Sequence, residues 1–241
     1  MNVHLPNLAC CAALLWFATG CGPLPGKPTA ADIPLNPGQV KDFAKLYAEN
    51  CAGCHGENGK GNGALALGNP VYLAIVSDDT LHRATALGVP GTLMPPFAQS
   101  AGGMVTDEQI NILVSGIRTN WAKSDALQGA IPPPYAASSP GDARRGGEVF
   151  TTFCASCHGA DGKGTEQSGS IVDGSYLALI SDQYLRTTVI AGRPELKHPD
   201  WRNCATNRPL TAAQVTDVVA WLASHRTRTP GQPYPAASAK P

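Results

Sequence analysis

Two stretches of the chain carry the same apolar rhythm. Ile110, Leu113, Val114 and Ile117 fall at helical spacing, and so do Val215, Val218, Val219 and Leu222. Each run draws one apolar stripe on an otherwise polar helix, so each predicts a helix with a single buried face. Each is preceded by a capping box, Thr106-x-x-Gln109 and Thr211-x-x-Gln214, in which hydroxyl and amide side chains satisfy the first free N–H groups reciprocally. Ser77 and Ser181 read as N-caps of shorter middle helices. Further helices are expected over 38–50 and 142–153. The period-two alternation of a strand is absent. The pattern therefore predicts an all-α chain with glycine-rich loops.

The rhythm recurs because the sequence repeats. Cys51-Ala52-Gly53-Cys54-His55-Gly56 returns as Cys154-Ala155-Ser156-Cys157-His158-Gly159, shifted by 103 positions. Tyr72-Leu73-Ala74-Ile75 returns as Tyr176-Leu177-Ala178-Leu179, and Ser77-Asp78 as Ser181-Asp182, now shifted by 104. Two homologous units follow, over 36–128 and 141–228, joined by a Pro/Ser-rich linker at 129–140 and followed by a loose Pro/Ala-rich tail at 229–241.

The repeated motif carries the chemistry. Cys-x-x-Cys-His is the signature of covalent c-type haem attachment. Two intervening residues put both sulfurs on one side of the ring for thioether bonds to the vinyl groups, and the adjacent histidine lies under the iron. A zinc site would need a regular fourth ligand, which the nearby sequence does not supply. A redox Cys-x-x-Cys needs a βαβ setting, which is also missing. The expectation is two covalent haem c groups, on Cys51, Cys54 and His55 and on Cys154, Cys157 and His158.

A six-coordinate iron needs a distal ligand. In the first unit Met94 lies in Gly88-Val89-Pro90-Gly91-Thr92-Leu93-Met94-Pro95-Pro96-Phe97. A methionine held between prolines suits a stiff ligand loop; Met104 is the alternative. The second unit contains no methionine. At the shift of 104, Gly88 falls on Gly192, Pro90 on Pro194, Pro95 on Pro199 and Met94 on His198. His198 is the expected ligand, with Cys204, Lys197 or an open position as alternatives. Methionine favours ferrous iron and raises the potential, whereas a second imidazole lowers it. The expectation is a higher-potential iron at Met94, a lower-potential iron at His198, and electron flow from the second unit to the first.

The two units resemble class I cytochrome c domains in tandem, as in dihaem c-type cytochromes. The resemblance implies that an aromatic four residues before the first Cys packs the first helix on the last; Tyr47 and Phe150 stand there. It implies a glycine four residues earlier; Gly146 fits and Phe43 departs. It implies a proline whose carbonyl positions the proximal histidine; Pro70 fits and its match, Gly174, departs. Cys204 in a ligand role would resemble dihaem thiosulfate dehydrogenases; the bland alternative is a small buried residue, and an intermolecular disulfide or a redox-sensitive thiol are the others. His82 and His225 lack twins and read as structural or solvated, His225 complementing a helix C-terminus.

Residues 8–19 form an apolar run too short to span a bilayer. It has the length of a signal-peptide core, giving a leader over 1–20 that includes Cys10 and Cys11. The Ala18-Thr19-Gly20-Cys21 sequence looks like a bacterial lipobox with Cys21 as the lipidated residue, although the preceding segment has no Lys or Arg. Ordinary secretion and an uncleaved anchor are the alternatives. Residues 21–35 read as a Pro-rich tether. An exported, lipid-anchored protein at the periplasmic or outer face of the membrane is expected.

Composition narrows the functions. Lys+Arg and Asp+Glu are 18 each, a balance that argues against nucleic acid as a partner. Aromatic residues make up only 6%, so a core completed by two porphyrins is expected. The expected function is electron transfer without bond-making chemistry: a lipid-anchored shuttle or relay between a quinol-oxidising complex, a dehydrogenase or a reaction centre, and a terminal oxidase. The alternatives are a dihaem oxidoreductase, such as a peroxidase or a thiosulfate-oxidising enzyme, and a fixed subunit of a respiratory or photosynthetic complex. Arg186, Arg193, Lys197, Arg202 and Arg208 form a candidate basic face for a partner.

Overall fold

A computed structural model describes residues 26, 28–29, 32–166, 168–206 and 208–228. The leader, Cys21, most of the tether and the tail lie outside the described residues. Contacts divide the chain into residues 1–39 and 40–241. In the first of these a short 3-10 turn spans Pro37–Gln39, with Asn36 Oδ1 accepting from Gly38 N at 3.0 Å.

Within residues 40–241 the first repeat runs α1 (Phe43–Asn50), α2 (Ala52–His55), α3 (Pro70–Ile75), α4 (Asp78–Leu87) and α5 (Asp107–Trp121). The second runs α6 (Ala143–Phe153), α7 (Ala155–His158), α8 (Gly174–Ala178), α9 (Asp182–Ala191) and α10 (Ala212–Ala223). Among the described residues the only β features are two isolated bridges, so the fold is all-α. Both capping boxes form, and Ser77 and Ser181 cap α4 and α9. The first helix starts later than position 38. Asp42 Oδ1 accepts from Lys45 N at 2.7 Å, and that cap fixes the start at Phe43.

In each repeat the first helix crosses the last. Tyr47 meets Trp121 edge-on at 4.9 Å between centroids, and Phe150 stacks on Trp221 at 4.2 Å. In the second repeat Gly146 makes the crossing close: a Cβ there would lie 2.0 Å from Asp217 O. The first repeat has Phe43 at that position and moves the glycine to the facing helix. A Cβ on Gly116 would lie 2.1 Å from Phe43 Cδ2. The departure at Phe43 is thus an exchange of small and large residues across one interface.

Most buried apolar residues of both repeats, from Val40 to Val218, form one connected core, and Leu177, Leu185, Val219 and Leu222 form a second, smaller cluster. The connecting segment is tied down at two points. Arg202 donates to Leu127 O at 2.9 Å and Ala126 O at 3.3 Å. Arg186 donates to Pro134 O at 2.8 and 3.0 Å and to Tyr135 O at 3.1 Å. No helix among the described residues is long and apolar enough to cross a membrane.

Candidate functional site

The two Cys-x-x-Cys-His segments fold alike. A single helical turn, α2 or α7, carries the second cysteine and the histidine, and the first cysteine sits at its N-cap. His55 N donates to Cys51 O and His158 N to Cys154 O, both at 3.0 Å. Cys54 and Cys157 are exposed, Cys51 and Cys154 half-buried. Burial pushes the Cys51 thiol up to about 11 and that of Cys154 up to about 12. The following glycines, Gly56 and Gly159, take positive φ of 76° and 79°. A Cβ on either would lie 2.6 Å from the carbonyl oxygen of Gly61 or Gly164, so the loop closes only on glycine.

The proximal histidines differ. His55 Nδ1 lies 2.7 Å from Leu65 O. A carbonyl only accepts, so Nδ1 carries the proton and Nε2 keeps the lone pair a metal needs. The expected partner was Pro70, which instead opens α3 behind the Asn69 cap. His158 Nδ1 is buried without a partner. Burial lowers the pKa of His55, His158 and His198, which favours the neutral imidazole that binds metals.

The distal loops of the two repeats share one closing hydrogen bond. Val89 N donates to Met94 O, and Arg193 N to His198 O, both at 3.0 Å. A Cβ on Gly88 would lie 2.6 Å from Met94 O, and one on Gly192 2.7 Å from His198 O. Met94 and His198 therefore occupy matching positions on matching loops. Met94 is half-buried, whereas Met104 is 79% exposed.

In the second repeat the rings of His158 and His198 lie 5.9 Å apart between centroids. Two metal–nitrogen bonds of roughly 2 Å each, plus the half-widths of two imidazoles, come to about that separation. The facing imidazoles and the paired cysteines form a donor set that fits a covalently held haem. In the first repeat, two thiols, an imidazole with its tautomer fixed and a half-buried thioether fit a second.

Other expected residues fall elsewhere. The basic face forms only in part: Lys197 and Arg208 are exposed, whereas the other three arginines are engaged within the chain. Arg186 is 3% exposed and bound to the linker carbonyls. Arg193 pairs with Glu195 at 2.8 Å, Arg202 pairs with Asp200, and Arg208 lies 5.1 Å over the Phe153 ring. Cys204 Sγ donates to Asp200 O at 3.3 Å, and its proximity adds to the upward push on Cys154. His225 Nδ1 lies 2.8 Å from Trp221 O, in the last turn of α10. Sequence reasoning missed Leu65 and Asn69, whose roles are set by backbone geometry and by contact with the other repeat.

Residues 143–226 match the family described as Cytochrome c, and residues 38–115 match that described as Cytochrome C oxidase, cbb3-type, subunit III. The chain is a dihaem c-type cytochrome. Its two domains imply two covalent haem c groups. The cytochrome is 32% identical over 172 residues to the cbb3-type cytochrome c oxidase subunit FixP of Azorhizobium caulinodans, covering 67% of this chain and 55% of that one. It is 30% identical over 189 residues to FixP of Sinorhizobium medicae, covering 70% and 58%. It is 24% identical over 192 residues to the cytochrome bc1 complex cytochrome c subunit of Mycobacterium bovis, covering 78% and 64%. The cytochrome thus spans little more than half the length of the FixP relatives. By their names these relatives are subunits of a cbb3-type oxidase or of the cytochrome bc1 complex.

Proposed function

We propose that this cytochrome is the electron-relay subunit of a membrane respiratory complex, passing single electrons from a quinol-oxidising partner toward a terminal oxidase. In this reading the haem domains span 36–128 and 141–228, and a lipid on Cys21 holds them at the outer face of the membrane. Cys51 and Cys54, and Cys154 and Cys157, hold the two haems by thioether bonds. His55 and Met94 ligate the first iron; His158 and His198 ligate the second. When bound, each haem c supplies a one-electron Fe(III)/Fe(II) couple.

The chain sets the inequality between the two sites. Thioether ligation at Met94 favours the reduced form, and imidazole ligation at His198 favours the oxidised form. The Leu65 carbonyl makes His55 a stronger donor and acts in the opposite direction at the first site. Tuning a ligand by one hydrogen bond is the smaller effect beside exchanging sulfur for nitrogen on the iron. The second site therefore lies at lower potential and donates to the first. What carries this reading is the His158–His198 pair, with its centroids 5.9 Å apart, on a loop whose twin presents Met94.

Affinity purification of tagged cytochrome from gently solubilised native membranes tests the subunit reading. It is expected to recover an oxidase or quinol-oxidising complex at fixed stoichiometry. Recovery of the cytochrome alone would return it to a free shuttle.

A further inference from the structure

Asn69 does more than a helix cap requires. Its Oδ1 accepts from Val71 N at 2.9 Å and Tyr72 N at 3.2 Å, which starts α3. Its Nδ2 donates across to the second repeat, to Ala191 O at 3.0 Å and Gly192 O at 3.3 Å. The side chain is 4% exposed. The matching cap in the second repeat is Asp173, which is exposed and accepts from Tyr176 N. A cap needs only an acceptor, and Asp supplies one. Position 69 faces two carbonyl oxygens as well, so it needs donors on its other limb, and only an amide of this length offers both.

The place of this contact gives it meaning. His198 O accepts from Arg193 N at 3.0 Å, and Arg193 is bonded to Gly192, whose carbonyl receives Asn69 Nδ2. Asn69 N donates to Ala66 O at 3.1 Å, and Ala66 is bonded to Leu65, whose carbonyl lies 2.7 Å from His55 Nδ1. Four hydrogen bonds and short covalent stretches thus run unbroken from His198 to His55. The same two loops touch at a second point: a Cβ on Gly61 would lie 3.3 Å from Glu195 Oε1.

We propose that Asn69 is the bridge through which electrons pass between the two haem sites, linking the distal ligand of the second to the proximal ligand of the first. The proposal rests on the ligation given under Proposed function. The step moves one electron and no proton. Fe(II) on the His198 side is oxidised as Fe(III) on the His55 side is reduced, and no covalent bond forms or breaks along the route.

The test uses the holoprotein with Asn69→Ser and Asn69→Asp. Both keep a capping oxygen; serine cannot reach Gly192, and aspartate puts an acceptor where the donor was. Flash reduction, followed where the two ligand sets absorb differently, reads the exchange rate between sites. Hydrogen exchange at the Val71 and Tyr72 amides reads the cap. The expected result is electron exchange slowed severalfold in both variants, with protected amides and wild-type ligand bands. Gln183→Ala removes a 2.8 Å contact to Tyr135 O that lies off the route, and it is expected to leave the rate unchanged. A wild-type rate in both Asn69 variants, or equal slowing by Gln183→Ala, would overturn the bridge. The ligation has its own readout: loss of the bis-imidazole near-infrared band from the unmutated protein would overturn His198 as ligand and, with it, the route's starting point.

Discussion

Asp217 shows how a single residue ties the second repeat together. It sits on α10, 6% exposed, and accepts from Asp142 N at 2.8 Å and from Arg145 Nε and Nη2 at 2.8 and 3.0 Å. The Arg145 hydrogen bonds hold its carboxyl below the ordinary range. A carboxylate depressed on folding contributes stability that is present above its unfolded pKa of about 3.9 and is lost as pH falls through the folded value. Arg145 is about half exposed, with 54% of its side chain accessible, so solvent screening limits the gain. Asp217→Asn is expected to melt at lower temperature at neutral pH, with the gap to wild type closing below about pH 4. Thermal unfolding followed across pH checks this. A gap that stays constant down to pH 2 would remove the carboxylate from the account.

At the scale of elements, the crossings of first and last helix carry the most specific packing. A Cβ on Gly146 would meet the backbone carbonyl of Asp217, which cannot turn aside; one on Gly116 would meet the Phe43 ring, which can. Gly146→Ala is therefore expected to cost about 2 kcal/mol, and Gly116→Ala distinctly less. Denaturant midpoints rank the two, and the reverse order would contradict the packing described here. These elements also show what was legible in the chain. The capping boxes, Ser77, Ser181 and the apolar stripes were read from residue type and spacing, because caps and helical periods are local. The compensating Gly116 was not, because it takes its meaning from Phe43, far away in sequence. Leu65 was missed for another reason: it acts through its carbonyl, which every residue possesses. Arg186 read as surface charge because burial against the Pro134 and Tyr135 carbonyls leaves no trace in composition.

For the whole molecule, the repeat is the organising fact and its departures carry the function. Two copies of one domain, equal in every respect, would give electrons no preferred direction. Here both loops close on a matching hydrogen bond, Val89 N to Met94 O and Arg193 N to His198 O, yet one presents Met94 and the other His198. One proximal imidazole is pinned by Leu65 and the other has no Nδ1 partner. The first repeat reaches into the second through Asn69. The low aromatic content of 6% fits the same picture, since two covalently held porphyrins would supply large apolar bodies to the core.

The central claim is that one body holds two unequal irons, His55/Met94 and His158/His198. A redox titration of the intact dihaem protein, read through its near-infrared ligand bands beside the variant His198→Met, tests it most directly. Two waves are expected: the bis-imidazole band belongs to the wave of lower potential, and in the variant that band is lost and that wave alone moves upward. A single methionine-type band in the unmutated protein, or a low-potential wave unmoved by the substitution, would contradict it.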